Sequence, residues 1–150
     1  MHENEKKERE AVDRVAREWI GTPFHDNACV KGHGADCAQL LRGVFVEAGV
    51  LEPFDIPYYS PQFFLHQSDE RFLGWVTKFA REIELADVRT GDVVLYRIGK
   101  CFAHGAIVVA PGWPNIIHAH HAARLVRPGF GTAVHLGAPV EGVKFFSRWR

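Results

Sequence analysis

The sequence predicts an α+β protein, with N-terminal helices packed on a C-terminal antiparallel sheet. In the first half of the chain, apolar residues recur at helical spacing. In the second half, they form short runs rich in β-branched and aromatic residues, separated by glycine or proline. Helices followed by strands are the order typical of α+β proteins.

The first element is a predicted helix from Glu5 to Ile20. Charged residues fill one face, and Gly21, Thr22 and Pro23 end the helix. The densely charged residues 1–10 are expected to form a frayed terminus or a solvated helix face. The opposite, apolar face consists of Ala11, Val12, Val15, Ala16, Trp19 and Ile20.

A second helix is predicted to begin at Cys37, after a loop rich in glycine and polar residues. Asp36 is well placed as its N-cap, so the amide and the sulfur of Cys37 lie in the first turn, where unpaired backbone donors point outward. Gly49 closes this helix. Its apolar stripe is Leu40, Leu41, Val44, Phe45 and Ala48.

An extended connection rich in proline follows, over residues 52–61, and a third helix is predicted after Ser68. That helix is weakened by Gly74, and its apolar positions are Phe72, Leu73, Val76, Phe79, Ala80 and Ile83. Nearby aromatic residues line a substrate groove or, more commonly for such clusters, anchor the core or a loop. They are Tyr58, Tyr59, Phe63, Phe64 and His66.

Five strands are predicted from Asp92 onward. The runs are separated by turn residues, which favours an antiparallel sheet. They read DVVLYRI, FAHGAIVVA, NIIHAH, ARLVRP and VKFFSRW.

Composition and charge indicate one globular domain over residues 1–150. Lysine plus arginine, 18 in all, balances 18 aspartates and glutamates, so no overall basic field favours nucleic acid or an anionic membrane. No export signal and no membrane-spanning stretch is visible, and we expect synthesis in the cytoplasm. Three cysteines, an odd number, leave at least one thiol free.

Cys37 is the candidate nucleophile, because a helix N-terminus or a neighbouring imidazole can lower the pKa of a thiol. Its own amide is a candidate oxyanion donor. His104, a polar residue at the head of an apolar strand, is the candidate base. His118 and His120 share one face of a later strand and His121 points to the other, so either of the first two can orient His104.

In order along the chain, the stretches GTPF, KGHGADCAQLL, RTGDVVLY, AHGAIVV and NIIHA resemble the NlpC/P60 family of cell-wall peptidases, most closely its phage tail branch. The resemblance covers residues 19–120. It implies a papain-like α+β fold, Cys37 as nucleophile, His104 as base and His118 as the residue that orients it. The family cleaves the bond between D-γ-glutamate and diaminopimelate, or a nearby amide, in peptidoglycan stem peptides. No metal or organic cofactor is implied.

Two positions depart from members of the family that recognise a free N-terminal L-alanine. Asp36 matches their substrate-binding aspartate, but Ala38 stands where they have serine. Phe24 lies near the position of their tyrosine. Asp36 and Phe24 are therefore the candidate substrate-binding residues. Phage tail proteins are possible partners under this resemblance, with the enzyme delivered to the wall by a particle.

Three other interpretations remain. Several cysteines and histidines are possible metal ligands, although the chain has neither a C-x-x-C pair nor an H-E-x-x-H motif. Rather than as metal ligands, Cys29 is better interpreted as a loop residue and Cys101 as a small strand residue near the site. A binding or tail assembly module would keep the fold without turnover. An acyltransferase or amidase would use the same thioester with another substrate.

Overall fold

The computed structural model describes residues 1–60 and 70–149. Among them are three α-helices, α1 (Glu3–Glu18), α2 (Cys37–Glu47) and α3 (Arg71–Thr77), and a 3₁₀ turn, Leu85–Asp87. The strands are β1 (Cys29–Val30), β2 (Gly34–Ala35), β3 (Arg81–Ile83), β4 (Val93–Ile98), β5 (Cys101–Val108), β6 (Asn115–His120), β7 (Leu125–Phe130) and β8 (Val140–Ser147). The predicted α+β class is confirmed. No helix in these two ranges is long and apolar enough to span a membrane.

Six strands form one antiparallel sheet in the order β3-β8-β4-β5-β6-β7. The five predicted strands are β4 to β8. Alternate residues of β4 point to opposite faces, and both faces are buried. Val93 and Leu95 join the larger core with α1 and α2, whereas Val94 and Tyr96 join a smaller cluster on the other face. The helices therefore pack on one face of the sheet.

The first helix is fixed to the sheet by a buried arginine. Arg9 of α1 donates from Nη1 to Asp92 Oδ1 at 2.9 Å and from Nη2 to Ser147 Oγ at 3.3 Å. Its guanidinium also lies 4.3 Å from the centroid of the Trp149 ring. The charged residues expected to fray therefore belong to α1 from Glu3 onward, and the helix ends at Glu18, two residues before the predicted end.

The third predicted helix is too long. It ends at Thr77, and Arg81–Ile83 instead forms β3, which pairs with β8. A short apolar run does not distinguish helix from strand by itself, and the edge of the sheet offers hydrogen-bond partners to this segment. Of the aromatic group, Phe63, Phe64 and His66 lie outside the described residues.

The loop before α2 contains a small hairpin that was not predicted. Cys29 pairs with Ala35 and Val30 with Gly34, with Gly32 at φ +81° in the turn between them. This hairpin brings the chain back to Asp36 and so fixes where α2 begins.

Candidate active site

Cys37 is the first residue of α2, as predicted. The Asp36 side chain caps the helix, since its Oδ1 accepts the Gln39 backbone N–H at 2.9 Å. The cap leaves the Cys37 side chain at the end of the helix, in partial contact with solvent. Its Sγ lies 3.6 Å from the carbonyl oxygen of Ala103, the residue that precedes His104.

His104 lies on β5 next to an irregularity in the sheet. Tyr96 of β4 pairs with His104 and Arg97 pairs with Phe102, so Ala103 is an extra residue in β5. Such a bulge changes the direction of the neighbouring side chains. It sets the Ala103 carbonyl against Cys37, and the adjacent His104 side chain lies in the same cleft as the thiol.

His118 of β6 contacts His104 directly. Nε2 of His104 and Nδ1 of His118 are 2.8 Å apart, and the two side chains are buried, with 6% and 3% of their surface exposed. Within the described residues, Nδ1 of His104 makes no hydrogen bond, so it is the nitrogen available to the thiol. His118 Nε2 lies 3.2 Å from where a Cβ would stand on Gly129 of β7, so a side chain there would press on the ring.

The candidate nucleophile and base line one cleft of about 410 Å³. Cys37 and His104 lie in its wall together with both candidate substrate-binding residues, Asp36 and Phe24. His118 stands behind His104. The arrangement brings together the five residues singled out in the sequence; whether each performs its predicted role stays a prediction.

Thiol and imidazole are both uncharged at neutral pH in this arrangement. Burial, and secondarily the Asp36 carboxylate, raise the pKa of Cys37 to about 12, while the amides of Gly105, Ala38 and Cys37 lower it by less. Burial, followed by the neighbouring His118 and His120, holds the pKa of His104 well below its usual value. Burial, with His120 and Arg127, lowers the pKa of His118 to about 4.

The position of Cys37 at a helix N-terminus therefore does not by itself lower the pKa of its thiol below the usual value. A helix N-terminus favours the thiolate, but burial of the sulfur and the adjacent Asp36 carboxylate outweigh this effect. The arrangement fits a base that removes the thiol proton as a bond forms, rather than a preformed ion pair.

The remaining histidines have other contacts. His120 joins β6 to a loop of the cleft wall: its Nε2 lies 2.7 Å from the carbonyl oxygen of His135, and its Nδ1 accepts the Ala123 N–H at 3.0 Å. His121 lies in the turn after β6 rather than on the strand. Its ring packs edge-on against Phe24, with centroids 5.0 Å apart.

Neither of the other two cysteines lines the cleft. Cys29, read as a loop residue, lies in β1 and donates from Sγ to the Gln39 carbonyl oxygen at 3.2 Å. Cys101 begins β5 and is fully buried in the larger core. Within residues 1–60 and 70–149, no group of three or more His, Cys, Asp or Glu side chains is placed to hold a metal ion.

Sequence reasoning missed the contact between Tyr59 and Asp36. The Tyr59 hydroxyl donates to Asp36 Oδ2, which also accepts the Asn27 backbone N–H at 2.7 Å. In the sequence, Tyr59 is only one member of an aromatic group; in the structure it is 6% exposed, whereas its neighbour Tyr58 is 79% exposed. No local pattern indicates this contact, because 23 positions separate the partners.

Comparison with known proteins gives structural matches only. No protein-family model matches the chain, and no curated protein matches its sequence. Among solved structures, the NlpC/p60 domain of the peptidoglycan hydrolase SagA matches with a TM-score of 0.59 and 19% identity, over 83% of this chain and 90% of that chain. The peptidoglycan hydrolase RipB of Mycobacterium tuberculosis matches with a TM-score of 0.62 and 20% identity, over 99% of this chain and 67% of that chain.

RipD of Mycobacterium tuberculosis matches as well, with a TM-score of 0.56 and 14% identity, over 94% of this chain and 96% of that chain. It is described as a non-catalytic NlpC/p60 domain protein adapted to peptidoglycan binding. At these identities the matches establish the fold. The papain-like α+β fold of NlpC/P60 domains, predicted from the sequence, is confirmed.

Proposed function

We propose that this chain is an NlpC/P60 cysteine peptidase that hydrolyses an amide bond in peptidoglycan stem peptides, of the D-γ-glutamyl-diaminopimelate type. One observation carries the proposal: His118 Nδ1 lies 2.8 Å from Nε2 of His104, directly behind a cleft whose wall contains His104 and the Cys37 thiol at a helix N-terminus. The fold shared with peptidoglycan hydrolases supports the substrate class.

The mechanism begins with proton transfer from Cys37. For Nδ1 of His104 to accept that proton, Nε2 of the same ring must carry a hydrogen. This N–H then donates a hydrogen bond to Nδ1 of His118. His118 thereby holds the tautomer that His104 needs as a base and stabilises the imidazolium that forms. The sulfur attacks the carbonyl carbon, and the Cys37 amide in the first turn of α2 donates to the oxyanion.

Collapse of the tetrahedral intermediate breaks the amide bond. His104 gives its proton to the leaving nitrogen, and the acyl group remains on sulfur as a thioester. His104 then accepts a proton from water, whose oxygen attacks the thioester carbon. The second tetrahedral intermediate collapses as the C–S bond breaks and the acid leaves, and the imidazolium of His104 gives its proton to the sulfur. This returns Cys37 to the thiol and His104 to the neutral imidazole.

The test is mass spectrometry of muropeptides after incubation with wild type and variants. We expect wild type to release peptide products and Cys37→Ala or His104→Ala to lower the rate by roughly 10³-fold or more. His118→Ala should lower kcat roughly 10²-fold, while His118→Asn retains part of it because an amide oxygen still accepts from Nε2–H. Cys29→Ser and His33→Ala, outside the cleft, are the matched controls and should retain full activity.

Failure to release products would separate the alternatives. Acyl transfer from a thioester to an added amine or alcohol, abolished by Cys37→Ala, would indicate an acyltransferase or amidase. Peptidoglycan binding without any turnover would indicate a binding module, the role described for RipD. Either result would contradict the peptidase proposal.

Membership of the phage tail branch is a finer proposal, which rests on the sequence resemblance. It includes synthesis in the cytoplasm and delivery to the wall by a particle, with tail proteins as partners. Its test is whether antibodies against the chain detect it in purified phage or prophage particles; its absence from them would contradict this assignment.

A further inference from the structure

A loop between β7 and β8 forms part of the wall of the cleft. We call residues 131–139 the wall loop; three of them, His135, Leu136 and Gly137, line the cleft beside the candidate nucleophile and base. The same three residues line a second cavity of about 880 Å³ on the face of the sheet without helices. A loop with open space on both sides depends on few contacts for its position.

The wall loop lies over the face of the sheet that carries the imidazoles. His104 and His118 lie two positions along their strands from Ala106 and Ile116, so each pair shares one face. Ala106 and Ile116 belong to the smaller cluster, and Leu136 of the wall loop packs against that cluster. The wall loop therefore covers a face that α1 and α2 leave uncovered.

The wall loop is held firmly at its first residue. The Tyr96 hydroxyl of β4 donates to the Gly131 carbonyl oxygen at 2.8 Å. The Gly131 N–H donates to the Pro114 carbonyl oxygen at 2.6 Å. These bonds fix where the loop begins, but they do not bring its middle against β6.

A histidine of β6 binds the middle of the loop. His120 Nδ1 accepts the Ala123 N–H at 3.0 Å, and an imidazole that accepts at one nitrogen carries its hydrogen on the other. The Nε2–H then donates to the His135 carbonyl oxygen at 2.7 Å. In the part of the chain that the structure describes, no other hydrogen bond joins residues 134–138 to another element.

We propose that His120 is a positioning residue: its hydrogen bond to His135 holds the wall loop against β6, and the loop held in this way forms the side of the cleft that binds the substrate peptide. This inference rests on the proposed peptidase function and adds a residue to it. His120 acts through the loop and takes no part in proton transfer.

An electrostatic role for His120 is distinguishable from this one. The His120 ring lies 5.0 Å from the His118 ring, between centroids, and His120 contributes to the lowered pKa of both His118 and His104. Loss of that influence would change kcat and its pH dependence, whereas loss of the loop contact would change KM. The variants must therefore separate the hydrogen-bond donor from the titratable ring.

The test measures kcat and KM on muropeptides for variants of His120. His120→Ala removes the donor, and we expect KM to rise roughly three- to tenfold, the effect of one lost hydrogen bond, while kcat stays near the wild-type value. His120→Gln keeps an N–H that can donate to the His135 carbonyl oxygen but has no titratable ring, so it should restore most of the wild-type KM. Thr132→Ala, exposed in the same loop and outside the cleft, is the matched control and should match wild type.

The split between kcat and KM decides the outcome. A lower kcat with unchanged KM in His120→Ala, or a glutamine variant that behaves like the alanine variant, would overturn the inference and leave the peptidase proposal intact. His120→Phe keeps the volume of the ring without either hydrogen bond. It should match His120→Ala, and it replaces that variant if alanine prevents folding.

Limited proteolysis tests the loop contact without any turnover by this chain. A protease that cleaves before valine and leucine should cut His120→Ala faster than wild type at Val134 and Leu136, relative to sites elsewhere in the chain, and His120→Gln at close to the wild-type rate. Equal rates at these two positions in wild type and His120→Ala would overturn the inference whether or not the chain is a peptidase.

Binding decides the case in which wild type cleaves no muropeptide. Calorimetry measures the affinity of Cys37→Ala for muropeptides, with and without His120→Ala. A fall in affinity by the factor expected for KM supports the inference even though the peptidase proposal has failed. An unchanged affinity, or no binding at all, overturns it.

Discussion

Cys37 and His104 form a neutral thiol and a neutral imidazole rather than a thiolate-imidazolium pair, so the proton stays on the sulfur. Burial favours the uncharged form of both groups, and the Asp36 carboxylate adds to this effect at the sulfur. Under the proposed mechanism, the charge separation needed for attack would therefore arise only with the substrate in place. A buried site of this kind limits the reaction of its thiol with small electrophiles in water.

The rate of alkylation of Cys37 should reveal this proton position. Because the pKa of the thiol is raised to about 12, the thiolate fraction should rise about tenfold per pH unit between pH 7 and pH 9. We expect the rate with iodoacetamide, followed by peptide mapping, to rise with the same slope. Glutathione, whose thiol titrates in its ordinary range, should level off where Cys37 continues to rise.

The opposite result has a clear meaning. A rate that stays flat from pH 6 to pH 8, and that falls when His104 is replaced by alanine, would indicate an ion pair at rest. Burial would then not determine the protonation states of Cys37 and His104 in the free protein.

Individual site residues could be predicted to the extent that local sequence marks them. Asp36 and Cys37 lie at a helix start that a capping residue indicates, and His104 interrupts an apolar strand. The family resemblance, rather than a local pattern, favours His118 over His120. In the structure, His118 Nδ1 lies 2.8 Å from His104 Nε2. Tyr59 could not be predicted, because its partner Asp36 comes near only when the chain folds back.

Among the elements, the contact of α2 with β5 places the Cys37 thiol beside the backbone of the strand that carries His104. Gly105 makes this approach possible. A Cβ at Gly105 would stand 2.7 Å from the Phe72 ring of α3, 3.0 Å from Leu95 and 3.2 Å from Leu41 of α2. The absence of a side chain next to His104 thus lets two helices pack on the strand.

Gly105→Ala should therefore destabilise the protein. Overpacking of this kind costs about 1–3 kcal/mol, because side chains must leave their preferred rotamers or the helices must shift. The matched control is Gly74→Ala in α3, where nothing lies within 4 Å of the added Cβ. That change should stabilise the protein by up to about 1 kcal/mol through helix propensity.

Urea unfolding monitored by circular dichroism measures both changes. Equal effects of the two substitutions would mean that the contact of α2 and α3 with β5 is looser than the structure shows.

Element prediction succeeded where the periodicity was long or the run strongly β-branched. Helices α1 and α2 and strands β4 to β8 were all found, with ends displaced by a few residues. The segment of residues 78–83 was assigned to helix because its apolar spacing also fits one. Residues 81–83 are a strand because they pair with β8. That partner lies more than sixty positions away in the sequence, so a local pattern does not indicate it.

For the molecule as a whole, the buried Arg9 of α1 connects the N-terminal helix to Asp92, which precedes β4, and to the C-terminal end of β8. Arg9 on α1 also donates to Ser147 and stacks on Trp149, next to the C-terminal end of β8. These contacts of Arg9 hold α1 against the sheet. Their effect on stability depends on burial, because removing one partner leaves a charge without compensation in the core.

Arg9→Ala should lower the free energy of unfolding by about 3–5 kcal/mol, as expected for the loss of one partner from a buried pair. Arg17→Ala is the matched control on the same helix. Its pair with Asp13 is exposed and should contribute about 0–1 kcal/mol. Thermal and chemical unfolding of both variants test this difference, and a small effect of Arg9→Ala would show that α1 is held mainly by its apolar face.

The separation of Cys37 and Ala103 by 66 positions has a consequence for synthesis on the ribosome. The thiol leaves the ribosome long before β5 and β6, so a growing chain exposes an ordinary cysteine without its imidazoles. The sheet that presents His104 and His118 also needs β4 and β8 as neighbours, and β8 is translated last of these strands. The three side chains that the proposed mechanism uses therefore come together only after β8 has joined the sheet, so the activity proposed for this chain should belong to the complete fold.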